Sequence, residues 1–195
     1  MTREKDILRE VMRFAIDHGY EKDHSNQVTS LSMLLFDLTM PLHGLDKKIR
    51  VLLESAALLH DIGRTGSGDR HHKEARDIIM RREELPFTDG ERKIVALVAR
   101  YHRQTLPESD HAIYSELPGE AREIVDKLSA ILRIADGLDR GHDNSVWGIT
   151  CDILKDEVIF HILADGLSEV DRDGALWKSD LFEKVFKRKV VVEWF

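Results

Sequence analysis

A mainly α-helical body followed by a small α+β tail is the fold class this sequence predicts. Three observations carry it. Apolar residues recur at intervals of three and four as far as about residue 143. From Ser145 the interval falls to two. Short polar stretches containing Gly or Pro separate the helical runs. The expected organisation is a helical domain over 1–143 and a hairpin-helix-strand (ββαβ) subdomain over 144–195.

Each element follows from its own pattern. Residues 4–17 carry Ile7, Leu8, Val11, Met12, Phe14 and Ala15, an amphipathic helix stopped near Gly19. A second helix is expected from Asp23 to Met40, stopped by Pro41. A third covers roughly 46–62 and ends at Gly63; its run Val51-Leu52-Leu53-Glu54-Ser55-Ala56-Ala57-Leu58-Leu59 is apolar enough to be buried all round. Residues 64–70 are a loop by composition. A short helix from His71 to Glu83 follows, and Thr88-Asp89-Gly90-Glu91 reads as a cap for a helix reaching Tyr101-His102. Pro118 suits the first turn of a long helix running to Arg140. In the tail, Trp147, Ile149, Cys151 and Ile153 alternate with polar or small residues, Lys155-Asp156-Glu157 turns the chain, and Val158, Phe160 and Ile162 alternate again. Ala175 to Phe186 is expected to be one helix, and Val190 to Trp194 a strand.

Composition narrows the function. The 195 residues suffice for a real core, and 33% are charged with a net charge of −7. That balance argues against a nucleic-acid binder, which needs a basic surface. The one cysteine, Cys151, excludes a disulfide framework and a Cys-based zinc site. The charged start, Met1-Thr2-Arg3-Glu4-Lys5-Asp6, is not that of a signal peptide, and no apolar run reaches membrane-spanning length. A cytoplasmic protein with no membrane partner is expected.

The candidate chemistry lies in histidines and aspartates on core-facing stripes. Residues three or four apart share a helix face. His24 lies one turn before Val28 on the stripe Val28, Leu31, Leu35, Leu38. His102 continues Ile94 and Val98. His71 steps to Ala75 by four and His72 by three. Asp136 lies one turn past Leu132, and the buried third helix supplies His60 and Asp61. A lone core-facing histidine is more often a hydrogen-bonded structural residue than a ligand. Several together, without matching basic residues on the same stripes, point to a divalent-metal site with nitrogen and oxygen donors. His18, His43 and His111 fall in turns or loops and are expected to be solvated. His161 alternates outward on the hairpin, and the role of His142 stays open.

These residues resemble a known signature. His24, then Leu59-His60-Asp61-Ile62-Gly63, then Ile134-Ala135-Asp136-Gly137-Leu138-Asp139 resembles the H…HD…D pattern of the HD superfamily of metal-dependent phosphohydrolases, over about residues 20–143. A closer similarity, to the C-terminal HD region of the exopolyphosphatase/guanosine pentaphosphate phosphohydrolase family, reaches nearly the whole chain. It is carried by Arg70-His71-His72-Lys73, Ala99-Arg100-Tyr101-His102-Arg103, the run Lys127 to Asp136, Leu138-Asp139-Arg140-Gly141-His142, and Asp180 to Phe186. The length leaves no room for the actin-like ATPase-fold domains that carry polyphosphate chemistry there, so exopolyphosphatase activity is not expected.

The resemblance implies an HD-type helical bundle in which His24, His60, Asp61 and Asp136 hold a first divalent ion. His71 and His102 would supply a second, with Asp61 bridging the two and orienting the attacking water as the catalytic residue. The cofactor is then one or two divalent ions, Mn or Fe favoured, with Mg, Co, Ni and Zn compatible. Arg64, Lys73 and Arg103 are the phosphate-contact candidates, with Arg133 and Arg140 as alternatives. The expected partner is a small phosphorylated substrate such as a nucleotide, and the exposed edges of a hairpin tail suit a homodimer. The competing expectation is a non-catalytic nucleotide- or polyphosphate-binding or regulatory module.

Overall fold

The longest helix is buried along its second half, and the remaining elements are arranged around it. In the computed structural model, residues 3–62 and 71–195 are described, with the side chain of His71 outside that set. The helices are α1 (Arg3–Asp17), α2 (Lys22–Leu38), α3 (Met40–His43), α4 (Arg50–Leu59, entered through a 3₁₀ turn at Lys47–Ile49), α5 (His71–Arg81), α6 (Asp89–Tyr101), α7 (Ala112–Ser115) and α8 (Gly119–Gly137). The tail contributes β1 (Val146–Ile153), β2 (Glu157–Ala164), α9 (Glu169–Trp177), α10 (Asp180–Phe186) and β3 (Lys189–Trp194).

Every residue from 128 to 139 is buried. A helix surrounded on all sides belongs at the centre of a bundle, and α8 packs against α2, α4, α6, α9 and α10. Its second half therefore carries Arg133, Asp136 and, just beyond its end, Asp139 into the interior, where each charge must find a partner. α4 is buried along almost its whole length and delivers His60 and Asp61 at its C-terminal end. α6 begins as its sequence requires, with Thr88 and Glu91 forming a reciprocal capping box.

The three strands form one sheet in the order β1-β2-β3, β1 antiparallel to β2 and β2 parallel to β3. A parallel pair needs a crossover, and α9 with α10 provides it. Val158, Phe160 and Ile162 face inward, with Phe160 edge-on to Phe182 of α10 at 5.7 Å. Among the described residues, no helix is long and apolar enough to cross a membrane.

Several boundaries differ from expectation for local reasons. The second helix ends at Leu38 rather than Met40, and Pro41 lies in the first turn of α3, where a missing N–H costs no bond. The long helix ends at Gly137, short of Arg140. The single helix expected over 175–186 is two, broken at Lys178 and Ser179. Trp147 shares the alternation of Ile149, Cys151 and Ile153 in the sequence, yet it is 64% exposed while Val146 is buried. The pairing register shifts between Val146 and Gly148, and such a bulge reverses which side chains face in. His43 is buried rather than solvated: its Nε2 donates to the Phe36 carbonyl at 2.9 Å and its Nδ1 accepts the Leu45 N–H at 2.9 Å.

Gly137 of α8 and Gly174 of α9 meet with their backbones nearly in contact. A Cβ on Gly137 would lie 2.6 Å from Ala175 Cα, and one on Gly174 would lie 2.6 Å from the Gly137 carbonyl oxygen. Neither neighbour is a side-chain end that can swing away. Gly137→Ala must therefore push α9 off α8, at about 1–3 kcal/mol. For a chain of this size that is a fall in Tm of roughly 3–10 °C in thermal denaturation. Gly90→Ala, where nothing lies within 4 Å, should leave Tm unchanged or slightly higher; equal Tm values for the two variants would contradict this packing.

Candidate metal centre

Helix ends bring the candidate ligands together. His24 lies in the first turn of α2, His60 and His102 follow the last residues of α4 and α6, and Asp136 occupies the last turn of α8. His24, Asp61, His102 and Asp136 border a cleft of about 280 Å³, and His60 lies behind them, fully buried. All are buried, the most exposed being Asp61 and Asp136 at 7%.

Each imidazole is anchored through Nδ1. His60 Nδ1 is 2.7 Å from the Ala57 carbonyl and His102 Nδ1 is 2.6 Å from the Ala99 carbonyl. A carbonyl can only accept, so both rings carry their proton on Nδ1 and present the Nε2 lone pair to the cleft. His24 Nδ1 lies 2.7 Å from Asp139 Oδ2. A carboxylate or carbonyl behind each ring is the arrangement that orients metal-binding histidines.

The Nε2 atoms converge. His24 Nε2 is 3.4 Å from His60 Nε2 and 3.3 Å from Asp136 Oδ1, and His60 Nε2 is 3.8 Å from the same oxygen. On the other side, Asp61 Oδ1 is 3.5 Å from His102 Nε2 and 3.9 Å from His60 Nε2. Two triads result, His24–His60–Asp136 and His60–Asp61–His102, each with its donor atoms within 4.8 Å of one another. His60 belongs to both.

Electrostatics reinforce the geometry. Burial holds His60 below the ordinary imidazole range and His102 well below it, so both are neutral donors near pH 7. Burial also lowers His24, but hydrogen bonds with Asp136 and Asp139 outweigh it and raise its pKa to about 9. Burial disfavours the charged form of Asp136, yet the Lys178 ammonium and the His24 hydrogen bond hold it well below the usual carboxylate range. Two imidazole lone pairs cannot face each other at 3.4 Å without a cation; in the metal-free protein the His24 proton serves. Two neutral imidazoles, a third whose proton a metal would replace, and the ionised Asp136 carboxylate fit a divalent transition metal.

Of the other expected residues, Arg103 lines the cleft, while Lys73 is exposed on α5 and is not part of the lining. Arg64 and the side chain of His71 lie outside the described residues; the neighbouring His72 is buried. Arg133 is no phosphate contact: its guanidinium is buried and bonds Asp180, the Tyr101 carbonyl and the Lys178 carbonyl. Arg140 does reach the cleft, 5.8 Å over the ring of Trp177. Residues that went unread include Lys178, paired with Asp136, and Asp139 behind His24. His142, left open, stacks on His24 with ring centroids 3.8 Å apart and bonds Glu21 at 2.8 Å. Asp139 carried a signal, three residues past Asp136 in a buried run. Lys178 lies three and four residues before Leu181 and Phe182, but its approach to Asp136 depends on how α9 crosses α8, which no local pattern shows.

A family model described as Ppx/GppA phosphatase, domain III, matches residues 3–185. The chain belongs to that family. The match covers both the helical body and most of the tail, and it relates the chain to phosphatases. No curated protein matches the chain significantly.

The His24 shift sets a pH dependence for the metal-free Ppx/GppA domain. A folded-state pKa raised from 6.5 to about 9 contributes stability that is complete below pH 6.5 and is lost as pH rises through 9. The stability difference between the chelated wild type and His24→Gln, from urea denaturation, should therefore shrink by on the order of 3 kcal/mol between pH 6 and 10. A difference that stays flat across that window would contradict the proton assignment.

Proposed function

We propose that this chain is an HD-type metal-dependent phosphohydrolase acting on a small phosphorylated compound. One observation carries the reading: three buried imidazoles, each pinned through Nδ1, turn Nε2 toward Asp61 and Asp136 at the floor of a cleft bordered by Arg103, Arg140 and Lys178. Structural zinc sites close mainly with thiolate and imidazole, and this set holds no thiolate. The relation to phosphatases and the order H…HD…D along the chain agree with it.

In this reading His24, His60, Asp61 and Asp136 hold a first divalent ion, and Asp61 with His102 reaches toward a second. Divalent ions supply Lewis acidity there, lowering the pKa of water and polarising a phosphoryl oxygen. Asp61, between His60 and His102, orients the attacking water. Arg103 and Arg140 offset charge on the phosphoryl oxygens. The cleft, about 280 Å³, accommodates a phosphoryl group with a small attached portion. Mn or Fe suits the mixed nitrogen and oxygen donors.

A second reading, a non-catalytic binding module, draws on the Lys178 ammonium already paired with Asp136. Elemental analysis of the purified protein and of Asp61→Ala, beside a panel of phosphomonoesters, nucleotides and phosphodiesters, separates the two. The hydrolase reading expects bound transition metal and turnover that falls at least about a hundredfold in the variant. Bound metal without turnover of any phosphorylated compound favours the binding module.

A further inference from the structure

Lys178 comes from the tail, and it meets the candidate metal centre at a defined atom. It caps the C-terminus of α9 and is 5% exposed, with its ammonium on Asp136 Oδ2. The other oxygen, Oδ1, is the one facing His24 and His60. The two ends of this carboxylate are thus divided between an internal ammonium and the imidazoles.

The approach of Lys178 is built in. The Gly137–Gly174 contact brings α9 against the last turn of α8, so Lys178, one turn past Gly174, reaches the residue just before Gly137. Its carbonyl accepts from Arg133 Nε at 3.3 Å, and the same guanidinium bonds the Tyr101 carbonyl at 3.1 Å, beside His102. Arg133 thereby ties the Lys178 backbone to the helix end that carries a candidate ligand.

Resting on the metal-centre reading above, we propose that Lys178 is a positioning residue: a resident counter-ion for Asp136 that keeps the empty site assembled and weakens its hold on a divalent metal. Without a metal, the ammonium meets a carboxylate that would otherwise be buried and uncompensated, a costly arrangement. When a metal binds at Oδ1, the same ammonium restricts Asp136 to one oxygen and sets a positive charge close to the ion. Like charges at short range in a poorly solvated site repel strongly. The tail therefore makes the site stable when vacant and its metal easier to exchange.

The test compares the full-length wild type with Lys178→Met and Lys178→Arg. Mn²⁺ affinity is read by calorimetric titration, and thermal unfolding is followed with chelator and with Mn²⁺. In Lys178→Met the metal-free protein should lose several degrees in Tm, Mn²⁺ should bind at least tenfold more tightly, and the Tm gain on adding Mn²⁺ should exceed that of the wild type. Lys178→Arg should restore the metal-free Tm at least in part. Mn²⁺ binding to Lys178→Met no tighter than to the wild type overturns the counter-ion role while leaving the metal centre standing. No Mn²⁺ binding by either protein overturns the metal centre itself and the counter-ion role with it. If Lys178→Met does not fold without metal, recovery of folded protein on refolding with Mn²⁺ supports the proposal, and failure to recover overturns it.

Discussion

A carboxylate held in the interior must be met by positive charge, and Asp136 is where that requirement organises this molecule. It lies in a buried stretch of α8 with only a narrow face on the cleft, so water compensates it little. Compensation comes from elements far apart along the chain: His24 from α2 on one oxygen and Lys178 from the tail on the other. The close crossing of α8 and α9 makes the second partner available, and it requires glycine at both Gly137 and Gly174. The helical body and the tail consequently share one charged centre.

The same logic extends outward from that carboxylate. His24 bonds Asp136 with one nitrogen and Asp139 with the other, so the end of α8 grips the start of α2 twice. Asp139 Oδ1 also accepts the Asn144 N–H at 3.0 Å, and Asp171 Oδ1 accepts the Gly141 N–H at 2.7 Å, which fixes the turn between α8 and β1. That turn places His142, in the left-handed region with φ 56°, flat against His24. His60 and His102 are oriented by the carbonyls three residues before them, a device that needs only the end of a helix. Helix termini, with their unpaired carbonyls, therefore supply both the scaffold and the tautomers of the centre.

Much of the centre was legible in the sequence because its ligands sit on helical stripes. His24, His60, Asp61, His102 and Asp136 each continue an apolar face or end a buried run, and periodicity of three and four is a local property. The helical body and the change of period at Ser145 were readable for the same reason. What depends on three-dimensional crossing was not. Lys178 falls inside what reads as one helix over 175–186, and its place beside Asp136 depends on the break at Lys178 and Ser179 and on the glycine contact. Arg133 reads as an alternative phosphate contact near Asp136, yet its fork is consumed by Asp180 and two carbonyls. The outward turn of Trp147 came from a bulge, which changes facing without changing composition. His43 is polar and sits in a turn, so its burial depended on a carbonyl and an N–H that only the fold brings to it.

Anomalous diffraction from crystals soaked in Mn²⁺ tests the central claim most directly. The account predicts a peak among His24 Nε2, His60 Nε2 and Asp136 Oδ1, with the Lys178 ammonium still on the far oxygen of Asp136. A peak away from these atoms, or none at saturating Mn²⁺, would contradict it.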